Sequence, residues 1–171
     1  MTKRKPKLPN YDSRISLEEA IHQFDFATSE LVLHPFNGSG ENDIDARRDH
    51  VFQAAQNSYL AASRWYGVIE REIRGEQEES PRKNYKKYLE DISSCSQVLT
   101  NQVLPWYSRI EFEERRKLKG IQEEKDSEQY QAQDKKVKSI AREKALIQNY
   151  LTLMSMMRTF VRDELAKKTN E

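Results

Sequence analysis

The groups in this chain able to do proton, metal or nucleophilic chemistry are few: three histidines and one cysteine, set among many carboxylates. Glu19 and His22 stand three residues apart, a spacing that puts a carboxylate and an imidazole on one face of a helix where they can share a metal ion. A dinuclear centre of that kind needs a second Glu-x-x-His and further carboxylates on other helices, and the sequence holds no second copy. Cys95 falls in the apolar register of a helix-forming stretch, with no histidine at a telling spacing, so it reads as a small packing side chain. A single thiol makes no intramolecular disulfide and fits a reducing compartment.

Asp49-His50 resembles the adjacent pair of metal-dependent HD phosphohydrolases, and Arg47-Arg48-Asp49-His50 resembles the Arg/His ribonuclease motif of helical HEPN domains. The first family needs further histidines and an aspartate on other helices, for which His22 and His34 are poor substitutes. The second separates its two residues by four to six positions, against two and three here. Both patterns fail. The loop Phe36-Asn37-Gly38-Ser39-Gly40 precedes a helix start, where a phosphate can sit, but Glu41, Asp43 and Asp45 follow it and would repel an anion. No catalytic residues, metal, cofactor or small-molecule ligand are therefore expected.

A stronger signal lies in the cations. Arg82, Lys83, Lys86 and Lys87 are helical neighbours with Tyr85 and Tyr88 among them, and four cations in the first turns of a helix oppose its macrodipole. Phosphates or an acidic protein face would complement them. Lys3, Arg4, Lys5 and Lys7 form a second cluster in a basic arm over residues 1–14, similar to a nuclear-localisation signal or a phosphate-contacting tail. Together they give one functional alternative, an accessory protein that binds nucleic acid through phosphates without reading sequence. The net charge of +1 supplies no bulk attraction to nucleic acid or anionic membrane.

The elements that must position these groups are helices. Five glycines and five prolines in 171 residues are too few for a many-stranded β fold. Residues 43–74 carry two adjacent apolar stripes, one through Phe52, Ala55, Tyr59, Ala62, Tyr66 and Ile69, the other through Val51, Ala54, Ala61, Trp65 and Val68. That width suits a central helix touching several neighbours. Before it, Ser16 and Glu19 form a capping box opening a helix over 17–33, which His34-Pro35 stops. After it, Gly75 ends the helix, and Ser80-Pro81 caps a third over 81–103. Pro105 reads as a break, followed by a helix over 105–119 with Gly120 as its stop.

Between Glu111 and Lys138, sixteen of twenty-eight residues are charged, eight of each sign, and over 122–136 the apolar signal nearly vanishes. That stretch is expected as a solvated helix projecting from the bundle rather than a structureless connection. The last helix is expected over 134–167. The fold class is all-α: an antiparallel bundle of four to five helices over 15–171, with a long charged helical segment before the C-terminal helix.

No run of apolar residues is long enough to span a membrane, and no signal peptide is expected, so the compartment is read as cytoplasmic, or nuclear through the Lys3 to Lys7 cluster. The segment from Leu151 to Phe160 is apolar on nearly all sides, and its methionines are adaptable packing residues. The favoured function is a non-enzymatic helical scaffold or accessory subunit that binds another protein or itself. Leu153, Met156, Met157 and Phe160 are the expected contact residues.

Overall fold

A computed structural model describes residues 15–32, 44–73 and 82–169. Helix α1 spans Leu17–Val32, α2 Ile44–Ile73, α3 Arg82–Val98, α4 Leu104–Gly120 and α5 Glu128–Thr169. A five-residue π-turn, Leu99–Val103, joins α3 to α4, and a short 3₁₀ turn, Gln122–Glu124, lies between α4 and α5. Among the described residues there is no strand, and the all-α bundle expected from the sequence is what forms. The basic arm, the Phe36 to Gly40 loop, the Gly75 helix end and the Ser80-Pro81 cap lie outside the described residues.

Local chemistry sets the helix boundaries. The Ser16 hydroxyl accepts the Glu19 amide at 3.2 Å, the serine half of the expected capping box. The Glu19 carboxylate accepts instead from Gln23 Nε2, at 3.1 Å. Pro105 does not break the chain. It lacks an N–H and would clash with the carbonyl one turn back, so the backbone widens ahead of it, and the Leu104 amide reaches back five residues to the Leu99 carbonyl. The α3–α4 rod passes through the proline as a continuous helical path.

The last helix begins six residues earlier than expected, because Ser127 caps it. Its hydroxyl accepts the Tyr130 amide at 3.1 Å and donates to the Glu124 carbonyl at 2.7 Å. The charged stretch 111–138 is thus the end of α4, a turn, and the start of α5, folded back as an antiparallel helix pair.

Cross-helix contacts give the directions. Phe24 meets Trp65, and Glu30 meets His50, so α1 runs antiparallel to α2. Tyr88 packs edge-on against Trp65, while Tyr107 approaches Arg48, so the α3–α4 rod is also antiparallel to α2. Along α5, Lys136, Glu143, Tyr150 and Phe160 meet Asp45, Arg48, Tyr59 and Tyr66 in turn, so α5 runs parallel to α2. This is the diagonal pair of an up-down-up-down bundle, brought into contact. Ala55 and Ala62, fully buried and each one turn ahead of Tyr59 and Tyr66 in α2, are small enough to allow that approach.

The core follows the stripes read in the sequence: Val51, Tyr59, Trp65, Tyr66 and Ile69 of α2 are buried, as are Tyr85, Tyr88, Ile92, Cys95 and Leu99 of the rod. Each large side chain so removed from water contributes roughly 1.5–3 kcal/mol. Stacked Tyr59 and Tyr150 rings, 4.6 Å apart, hold the α2–α5 seam.

Candidate protein-interaction site

An open groove lies where α3 and the π-turn run beside α5. Short polar side chains line it on both walls: Ser93, Ser96 and Thr100 on one, Thr152 and Ser155 on the other. Leu151 and Met156 supply its apolar contacts, Asn101 and Gln97 its amides, and Arg158 its one cation. The groove has a volume of about 580 Å³ and is open along its length. The π-turn contributes to its shape, since the extra residue turns Thr100 and Asn101 outward while Leu99 and Val103 both stay in the core.

The four residues expected to make a protein contact divide between this surface and the core. Met156 stands at the groove with 41% of its surface exposed. Leu153 and Phe160 are half-buried, and Phe160 rests edge-on against Tyr66 at 5.7 Å between centroids. Met157 is fully buried, as is Met154, so Met157 belongs to the bundle core and offers nothing to a partner. The sequence could not separate them, because three methionines in four positions leave the apolar arc without an edge.

The basic cluster is only partly described. Lys86 is exposed, whereas Lys87 donates to Asp91 Oδ2 at 2.8 Å, one turn on in the same helix, and that pairing raises the lysine pKa. The Arg82 and Lys83 side chains, like Lys3, Arg4, Lys5 and Lys7, lie outside the described residues.

The histidine and cysteine sites do not assemble. His22 is exposed on α1, and His50 lies 3.7 Å from Glu30 at the surface. Among the described residues no group of three or more His, Cys, Asp or Glu is placed to hold a metal ion. Burial pushes the Cys95 thiol up to about 12, against the pull of the Ser58 and Thr28 hydroxyls, which keeps it in the unreactive thiol form.

Two buried polar groups were not legible in the sequence. Glu114, 2% exposed, accepts from Gln133 Nε2 at 2.7 Å and Lys117 Nζ at 3.1 Å, with Lys136 Nζ at 3.7 Å. Burial alone would raise its pKa, but the Gln133 and lysine partners outweigh it and hold the carboxyl below the usual range. One turn and more below, Arg48 Nε lies 3.1 Å from Glu143 Oε2, and the Tyr107 hydroxyl donates to the same oxygen at 3.2 Å. Here burial prevails and raises the Glu143 pKa, although Arg48 and Tyr107 pull it down. Burial raises Tyr107 as well, with the Glu143 charge adding to it. These two groups fix the register of α4 on α5, and of both on the start of α2.

Among the described residues no helix is long and apolar enough to cross a membrane. No family model, no curated protein and no solved structure matches the chain.

Proposed function

We propose that this protein is a non-enzymatic helical scaffold or accessory subunit, and that it works by seating a segment of a partner protein in the groove between α3 and α5. The observation that carries the reading is Met156, a large apolar side chain left exposed beside an open groove walled by serine and threonine. Short hydroxyl side chains let a partner backbone come close, and an adaptable methionine beside them supplies apolar area. The groove is open rather than enclosed, which suits a peptide segment better than a small molecule.

The test is affinity capture from the source cells with nuclease present, using the wild-type protein and a groove-blocked variant, Ser96→Arg with Met156→Asp. The reading expects nuclease-resistant partners on the wild type that are absent from the variant, with helicity unchanged in both. Partners retained equally by the variant would remove the groove from the function. Material lost on nuclease treatment would point instead to the nucleic-acid alternative.

A further inference from the structure

Two large aromatic side chains stand fully outward on helices that do not pack on each other: Phe26 on α1, 65% exposed, and Phe112 on α4, 69% exposed. Neither contributes to the core, and their surroundings carry opposite charge. Around Phe26, α1 presents Glu18, Glu19, Asp25 and Glu30 and has no lysine or arginine in its sixteen residues. Arg64 of α2 donates to Gln23 and lines the cleft beside Phe26, His50 lies 3.7 Å from Glu30, and Lys87 of α3 feels the charge of Asp25, so four carboxylates of this face are set against two permanent cations. On α4, Arg109, Phe112, Arg116 and Lys119 recur at steps of three, four and three, which aligns them along the exposed side. Arg115 lies beside them, tied to Glu111 at 3.3 Å. Glu113 stands at the border, while Glu111 and Glu114 turn towards the body of the protein.

We propose that these two faces are the halves of one interface: the acidic α1 face of one copy docks along the basic α4 face of a second copy, with Phe26 and Phe112 in the contact. Charge complementarity chooses the partner, and the lengths agree, since helices of sixteen and seventeen residues are each about 25 Å long. An exposed aromatic ringed by arginine is also the composition enriched in protein interfaces. The faces differ, so the contact is head-to-tail and each copy can engage two others, closing a ring or extending a row. A single helix pair buries less than a stable dimer needs, so the association is weak and strengthens at low salt. It uses none of the groove residues, and the two proposals can fail separately.

The experiment is sedimentation velocity from about 10 to 300 µM, in low salt and in about 0.5 M NaCl, where the screening length is only about 4 Å. The proposal expects the wild-type coefficient to rise with concentration in low salt and to fall back to the monomer value in high salt. Arg109→Glu with Arg116→Glu should weaken association at least about tenfold, and so should Glu18→Lys with Asp25→Lys. An equimolar mixture of the two variants should regain it, because each now offers the charge the other lacks. Phe112→Ser should weaken the wild type without changing its salt dependence, and circular dichroism checks that every variant keeps its helicity. A wild type that stays monomeric throughout overturns the proposal, whether or not the α4 face then binds a single-stranded oligonucleotide. So does association that survives either charge reversal, or a mixture that stays monomeric.

Discussion

Glu114→Ala should lower the stability of the protein by about 2 kcal/mol near neutral pH, and the loss should fade in acid. The magnitude comes from what the carboxylate touches. The 2.7 Å bond from Gln133 Nε2 is charge-assisted and buried, a class of bond that contributes about 1.5–3 kcal/mol. Lys117 and Lys136 are more exposed partners and add at most about 1 kcal/mol each. Against this, Gln133 Nε2 also donates to the Glu114 backbone carbonyl at 2.9 Å, so the substitution does not leave the amide without an acceptor. For a chain of this size, 2 kcal/mol corresponds to a fall in Tm of about 4–8 °C.

The direction with pH follows from the lowered carboxyl. The folded state holds this proton more weakly than the unfolded chain, so the stabilisation is complete above the ordinary value of 4.5. It is lost as the pH falls from there through the lower folded value. Thermal unfolding of wild type and variant, followed by circular dichroism at pH 7 and at pH 3, reads the difference directly. Hydrogen exchange should show the added opening concentrated in the amides of 111–138, since α4 packs mainly on α5 among the described helices. A Tm difference below about 1 °C at pH 7, or an equal difference at both pH values, would refute the assignment of Glu114 as the anchor of this pair.

Arg48→Met removes the cation beside Glu143 and should destabilise the protein by about 2–3 kcal/mol at pH 7. Because the Glu143 pKa is already raised and should rise further, protonation relieves the penalty, so denaturant midpoints of variant and wild type should converge near pH 4. Cys95 should react with a disulfide reagent at pH 8 only as fast as the bundle opens, and at once in denaturant; rapid reaction of the native protein would contradict its burial. Trp65→Ala empties the contact with Phe24 and Tyr88 at the meeting of three helices and should cost about 3–5 kcal/mol in urea unfolding.

The parts of this fold that the sequence announced are those decided locally. Ser16 caps a helix through an amide three residues away, and the stripes of α2 state which residues turn inward whatever they meet. Pro105 misled because its local preference is real: the break it favours is avoided only by widening the previous turn, a choice made by the packing of Leu99 and Val103. Ser127 was missable for the opposite reason, since the apolar periodicity that marks a helix start arrives only with Val137.

Glu114 shows where sequence reasoning stops. In order of residues it is one of sixteen charges in twenty-eight and looks as solvated as its neighbours. Its burial depends on Gln133 and Lys136, which reach it only once α4 folds back on α5 in one register. A slip of one turn, about 5.4 Å, would take both partners away and leave a carboxylate against apolar surface. The same register aligns Tyr107 with Glu143 and places Ser155 and Met156 opposite Ser96 and Thr100. The groove is thus a consequence of the polar anchors, not of the residues that line it. Loosening Glu114 should therefore weaken the proposed partner binding at a groove whose nearest residue in the chain, Asn101, lies thirteen positions before it.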